Sequence, residues 1–121
     1  LAILPEEATV RHDAVTSSLP LSTSGFHILL ALADGERHGY AIAKEVDEAT
    51  GGTVSLGPAT LYRTIKQFLA DGWIAEVGGD DDRRRVYRLT PRGRRIAQAE
   101  AERLEAVVRV ARERRLLPAL G

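Results

Sequence analysis

Residues 26–33 are almost wholly apolar, and the run stops at Asp34-Gly35. Ser22, Thr23 or Ser24 can supply an N-cap hydroxyl ahead of it, so the segment predicts a helix that is hydrophobic all round and therefore buried. Ile42, Ala43 and Val46 then repeat at i, i+1, i+4 with charges on the opposite face. That period predicts a second helix over about residues 38–50, stopped by Gly51-Gly52. Residues 53–56 read as a short extended piece. The third pattern is the sharpest. Leu61, Ile65, Phe68 and Leu69 stand at i, i+4, i+7, i+8 and form one buried stripe. Gly57 suits the N-cap, Pro58 the first helical position, and Asp71-Gly72 the end. The period then falls from 3.6 to 2. WIAEV (73–77) reads as a strand, residues 78–82 as a turn and RRVYRL (84–89) as the return strand of a hairpin. On the return strand Arg84, Val86 and Arg88 share one face, and Arg85, Tyr87 and Leu89 the other.

Thr90-Pro91 opens the last helix with an N-cap and a proline at the first position, and Pro118 is its natural stop, so it is expected to run to about Leu117. Ala97, Ala101, Leu104, Val108 and Ala111 follow 4-3-4-3 spacing, a coiled-coil-like seam that Ile96, Val107 and Val110 broaden. A helix of about 27 residues is roughly 40 Å long. The small domain before it cannot cover such a stripe along its whole length. The remainder needs a partner, most simply a second copy. The expected fold class is mostly α with a small β-hairpin (α+β). Its parts are an N-terminal arm (1–20), a winged helix-turn-helix domain (21–90) and a long C-terminal dimerisation helix (91–121).

Composition changes this picture in one respect. The formal net charge is zero, with 17 basic and 17 acidic residues. The charges are segregated, however. Residues 1–56 carry 3 basic and 8 acidic side chains, residues 57–95 carry 9 and 5, and residues 96–121 carry 5 and 4. Beyond a Debye length of about 8 Å, the acidic front barely subtracts from the basic middle. Neutrality overall therefore does not exclude a polyanionic partner. Cysteine is absent, which fits a reducing, cytoplasmic setting and leaves no thiolate chemistry. No apolar run approaches the roughly 20 residues that span a bilayer, and no signal-peptide pattern opens the chain. His12, His27 and His38 show no ligand spacing, so neither a metal nor another cofactor is expected. His27, in an apolar helix, reads as a core or interface residue. No nucleophile–base arrangement, P-loop or dinucleotide fingerprint appears, so catalysis is not expected.

The exposed side of the third helix carries Ala59, Thr60, Arg63, Lys66 and Gln67, and no acid appears in residues 58–70. A helix start without acids keeps its positive end open to an anion such as a phosphate. A B-DNA major groove admits one such helix. Thr60, Arg63 and Lys66, at i, i+3, i+6, would face the bases. Arg63 suits a bidentate contact to guanine, and Lys66 a phosphate or a guanine acceptor. Pro58 and Ala59, in the first turn, complete that contact set. In the wing, Arg83, Arg84 and Arg85 are placed for phosphates or the minor groove. The competing reading is a solvated turn in which the acids at 80–82 neutralise them. Arg92, Arg94 and Arg95 stand in the first turn of the last helix, against its dipole, which calls for a phosphate or an acidic neighbour.

HGYAIAKEV, GPATLYRTIKQFLADGWI and RRRVYRLTPRG together resemble the PadR family of bacterial transcriptional regulators, over about residues 21–117. The likeness is greatest to the small subgroup with a single C-terminal helix. The family pattern often has Ser and Gly where this chain has Gly57 and Ala59. The resemblance implies a homodimeric DNA-binding repressor on a promoter palindrome, often responding to a small, frequently aromatic, effector. It makes Tyr40 and Tyr62 contact residues for DNA, beside their other reading as packing between the second and third helices. It implies a dimer interface formed by the two C-terminal helices and the N-terminal helices, with Ile96, Ala97, Ala101, Leu104, Val107, Val108 and Ala111 on the last helix. An effector pocket between subunits would fall at Leu104 and Val108, where ordinary dimer packing is the alternative. The last helix has no aromatic residue, which argues against a stacking platform. Some winged helices bind proteins and no DNA. Acids on the third helix would favour that reading.

Overall fold

In the computed structural model the described residues are Val15, 17–78 and 85–120. They form α1 (Thr23–Leu32), β1 (Arg37–His38), α2 (Gly39–Ala49), α3 (Pro58–Asp71), β2 (Ile74–Val77), β3 (Val86–Leu89) and α4 (Pro91–Glu113). The expected arm falls mostly outside these residues, as do the wing tip, Arg83 and Arg84.

Helix α1 is capped by Ser22, whose Oγ accepts the Gly25 N–H at 3.0 Å. Gly25 lies against α3. A Cβ there would stand 2.9 Å from Ser22 Oγ and 3.1 Å from the Phe68 ring. Gly25, Ile28, Leu29, Ala31 and Leu32 form the buried face. The expectation of burial all round is corrected at Leu30, which is 43% exposed. An unbroken apolar run has no polar face to reveal its outward side, and on the Leu30 side α1 is not covered.

Two further expectations change. Arg37-His38 is a strand, where the helix had been expected to begin at residue 38. It pairs antiparallel with β3, Arg37 opposite Tyr87 and His38 opposite Val86. The sheet thus has three strands in the order β1-β3-β2. His38 is the N-cap residue of α2 but makes no side-chain cap bond. Residues 53–56 form bends and irregular chain instead of an extended piece. The Thr50 hydroxyl organises them, donating to Val46 O at 2.8 Å and accepting the Val54 N–H at 3.1 Å.

Helix α3 has the expected N-cap at Gly57, and Gly72 closes it in the left-handed conformation (φ 75°) that glycine adopts at little cost. Leu61, Ile65 and Phe68 are buried and Leu69 packs against the core. Strands β2 and β3 pair with Ile74 opposite Leu89 and Val77 opposite Val86. Tyr87, 3% exposed, points inward, and Phe68 meets Trp73 in a tilted contact with ring centroids 5.0 Å apart. The core unites Ile28, Leu29, Leu32, Ile42, Val46, Leu61, Ile65, Phe68, Ile74 and Tyr87 with Ile96 and Ala97 of α4.

Thr90 joins hairpin to α4. Its Oγ1 accepts the Gly93 N–H at 3.0 Å and donates to Gly72 O at 2.7 Å, while its N–H reaches Trp73 O at 3.0 Å. Helix α4 ends at Glu113, earlier than the expected Leu117. Arg115 takes φ 65°, the Leu116 N–H reaches back to Ala111 O at 2.9 Å, and the Arg115 N–H to Arg112 O at 3.0 Å. This six-to-one and five-to-two pattern closes the helix before Pro118. The 23 residues span about 35 Å. Only Gly93, Ile96, Ala97 and Glu100 are buried. The second half leaves the domain.

Candidate nucleic-acid interface

Burying Leu61, Ile65 and Phe68 against the core turns the opposite face of α3 outward. Pro58, Ala59, Tyr62, Arg63 and Lys66 are exposed and Thr60 is half-buried. No acidic residue lies in the first turn, and Gly57 provides no side-chain cap. The acid that ends the helix, Asp71, is engaged by Gln67 at 3.1 Å. The set expected from the sequence to read bases is thus on the outward side of α3, with Pro58, Ala59 and Thr60 at the positive end of the helix dipole and Arg63 and Lys66 further along.

Tyr40 is 76% exposed on the first turn of α2. Tyr62 combines its two readings. Its ring lies on Gly39, where an added Cβ would come within 3.2 Å of Cε1 and 3.4 Å of the hydroxyl, yet the residue remains 50% exposed. Gly39 therefore lets α3 approach α2 while the phenol stays at the surface.

On the sheet, Arg88 is exposed and shares a face with Val86. Arg85 is held 3.4 Å from Glu76 on the neighbouring strand. Burial, and next the Glu76 carboxylate, raise the Tyr87 phenol above its ordinary value, while Arg85 acts in the opposite direction. A wing arginine is thus already engaged by an acid, but that acid is Glu76. The acids at 80–82, to which the neutralised-turn reading assigned this role, lie outside the described residues.

Of the first-turn arginines of α4, Arg94 finds a different partner from either expected. Arg94 Nη2 donates to Ala33 O at 2.9 Å, and Arg37 Nε donates to Ala31 O at 2.6 Å. Both side chains satisfy carbonyls at the end of α1, the negative pole of that helix. Arg37 also reaches Asp34 at 3.3 Å and Glu45 at 3.7 Å. Arg92 lies over Gly72, its Cδ and Nη1 3.9 Å from where a Cβ would be. Arg95 is exposed.

Of the expected seam, Ile96 and Ala97 are 4% and 8% exposed, buried in the chain's own core. Within the chain they are covered by their own core, so the apolar face left open for a partner begins beyond them. Ala101 is exposed, Leu104 and Ala111 are half-buried, and Val107, Val108 and Val110 are 54%, 40% and 49% exposed.

Glu100 was missed. It is the buried charged residue among those described, 1% exposed. Its Oε2 accepts the Leu21 N–H at 2.8 Å, and Arg103 closes on the carboxylate through Nε and Nη2. The sequence signal was available: Glu100 follows Ile96 at i+4, a stripe position, but its charge disqualified it beside Ala101. The Arg103 bond, and then the Leu21 N–H, lower its pKa against the opposing effect of burial. A depressed carboxyl stabilises the fold above its unfolded value, and that stabilisation is lost as pH falls through the folded value. Glu100→Ala is expected to cost about 1–3 kcal/mol, since it orphans a backbone donor. Glu100→Gln should flatten the acid limb of a plot of melting temperature against pH. An unchanged acid limb would contradict the linkage.

Among the described residues no helix is long and apolar enough to cross a membrane, and no group of three or more His, Cys, Asp and Glu could hold a metal ion. The model of the transcriptional regulator PadR-like family matches residues 28–99. A Mycobacterium tuberculosis protein, transcriptional regulator Rv3488, is 41% identical over 85 residues, 69% of this chain and 77% of that one. A 37.1 kDa protein of a Streptomyces fradiae transposon is 36% identical over 74 residues; the match takes in 61% of this chain but only 21% of that protein's length. Among solved structures, a transcriptional regulator from Clostridium thermocellum has a TM-score of 0.66 at 26% identity, over 78% of this chain and 97% of that one. Bacillus subtilis PadR in complex with operator DNA has a TM-score of 0.56 at 26% identity, over 70% of this chain and 48% of that one. With a family match that covers most of the winged-helix core and begins α4, the chain belongs to the PadR-like family and is a transcriptional regulator, not an enzyme.

Proposed function

We propose that this regulator binds double-stranded promoter DNA as a homodimer, with α3 in the major groove, and acts in the cytoplasm as a repressor. One observation carries the reading: the outward surface of α3 carries Thr60, Arg63 and Lys66 along its first three turns, on a helix whose first turn has no acid and no side-chain cap. Arg63 reads a base edge, Lys66 and the first-turn amides meet phosphate, and Tyr40 and Tyr62 offer hydroxyls to the backbone on either side. Arg83, Arg84 and Arg85 of the wing supply the second contact. The absence of acids over residues 58–70 of α3 disfavours the reading as a protein-interaction module.

Dimerisation rests on the half of α4 beyond Glu100, where Leu104, Val107, Val108 and Ala111 lack cover from the chain's own core. Two copies related by a two-fold axis would present two α3 helices to successive major grooves, about 34 Å apart. A small-molecule effector seated at Leu104 and Val108, between the two α4 helices, would release DNA by altering that separation. Selection of bound sequences from a random duplex pool tests the function. It should yield an inverted repeat with half-sites one helical turn, or a multiple, apart. A pool that stays random would overturn the reading.

A further inference from the structure

A surface that meets phosphate is not expected to carry an acid. Residues 57–95 hold five, and three of them, at 80–82, lie outside the described residues. Of the other two, Asp71 ends α3 and is engaged by Gln67. Glu76 is placed differently. It is the one acid in β2 and β3. It stands directly opposite Tyr87 in the ladder, so the two side chains share one face of the sheet. Arg85, two residues before Tyr87, continues that face. Its Nε lies 3.4 Å from Glu76 Oε1, and its guanidinium also donates to the Tyr87 phenol oxygen.

This face looks toward α3. Tyr87 Cε2 and the Tyr62 hydroxyl lie 3.5 and 3.4 Å from one point, the place a Cβ on Gly39 would take. Arg85 is therefore tied to a tyrosine that adjoins Tyr62, a proposed backbone contact of α3.

Two properties make Glu76 more than an incidental neighbour. Its backbone is fixed in the ladder, so the carboxylate keeps its place beside Arg85. The pair is also only partly covered, with the Arg85 and Glu76 side chains 46% and 36% exposed. A buried pair would hold Arg85 permanently, and a fully exposed one would be screened by salt to almost nothing. Between those limits a phosphate can displace the carboxylate, but must do so against it.

We propose that Glu76 is a positioning residue for DNA binding: it holds Arg85 against Tyr87 and competes with the DNA backbone for it, so that the wing's phosphate contact forms only by opening the ion pair. The proposal rests on the reading of Arg85 as a wing contact to DNA. It has a definite consequence. The pair opens on any duplex, because phosphates carry no sequence information. Glu76 thus lowers affinity for operator and non-operator DNA by one factor and leaves the preference set by Arg63 unchanged. It also flattens the salt dependence, since the released carboxylate takes up a cation as the phosphate gives one up.

Glu76→Gln keeps the size of the side chain and removes its charge. In the full chain it should tighten binding about fivefold, both to the selected operator and to a duplex of shuffled sequence, near 0.1 M salt. The slope of log affinity against log salt should steepen by up to about 1 per subunit. The melting temperature should move by no more than about 2 °C, as for any partly exposed pair. In an Arg85→Ala background the same exchange should change affinity by less than about twofold, because the guanidinium it acts through is gone. Residues 80–82 are the same in every protein compared, so their contribution is common to all. A gain that persists undiminished in the Arg85→Ala background means that Glu76 acts by its charge at large, and overturns the proposal. Unchanged affinity and slope in Glu76→Gln, or weaker binding, overturn it as well. Arg85→Ala that binds both duplexes as wild type does removes the wing contact and this proposal with it, while DNA binding through α3 stands. Wild type that binds neither duplex at any salt overturns the proposed function itself.

Discussion

Gly93→Ala is expected to be the most destabilising of the simple substitutions in this protein, lowering the melting temperature by about 15 °C. A Cβ at this position would stand 1.9 Å from Trp73 O and 2.8 Å from Trp73 C. Both are backbone atoms, so no rotamer change relieves the overlap. Trp73 O also accepts the Thr90 N–H, and Thr90 in turn caps α4 through Gly93. Displacing either strand end or helix start therefore breaks the joint between hairpin and α4. A forced overlap in a packed site costs about 3 kcal/mol or more, which in a domain of this size is on the order of 15 °C. Gly57→Ala is the matched control. Open space surrounds that position, and its φ of −70° suits any residue, so its melting temperature should fall by no more than a few degrees. Equal losses in the two variants would mean that glycine content, not close approach, sets the effect.

The same joint shows why so much of the fold was legible in the sequence. Thr90-Pro91, Gly57-Pro58 and Asp71-Gly72 mark element ends by local chemistry, and the structure puts the boundaries there. The stripe Leu61, Ile65, Phe68 identifies both the buried and the outward sides of α3, because a polar face stands opposite it. Helix α1 has no such contrast, and Leu30 could not be told from its neighbours. Strand β1 is two residues long, too short for any period, and exists only because β3 is there to pair with.

The site was legible to the same depth. Exposed positions of α3 follow from its stripe, whereas pairing of charges between distant segments does not. Arg94 and Ala33 are 61 residues apart and Leu21 and Glu100 are 79 apart. A charge on a helix stripe reads as an interruption until its backbone partner is known. The seam includes Ile96 and Ala97, which the chain's own core covers. Periodicity shows that a face is covered, and is silent about whether its own chain or a second one covers it.

The largest functional effect is expected from α3. Arg63→Ala removes the one exposed guanidinium on that helix, the side chain proposed to read a base. A bidentate contact to guanine is worth about 1–3 kcal/mol of discrimination against a wrong base, or roughly 5- to 150-fold. The single variant should therefore lose specific affinity by that order and relax preference at one position of each half-site. Lys66→Ala should act differently. It removes a phosphate contact, so binding should weaken on all sequences and the slope of log affinity against log salt should fall by about 1. Neither variant should lose stability, because both side chains are exposed and, among the described residues, make no hydrogen bond or ion pair with the core. In a homodimer each substitution occurs twice, so the double variant combines both losses on both half-sites.

The central claim is that Arg63 on α3 reads a base in the major groove. Its most direct test is the ratio of affinities for the selected operator and for an operator with one base pair per half-site exchanged. That ratio should be measured for wild type and Arg63→Ala at equal salt. Wild type is predicted to prefer the selected operator by tenfold or more at one position, and Arg63→Ala to bind both duplexes equally at that position. Arg63→Ala that keeps the wild-type preference at every position would contradict the claim.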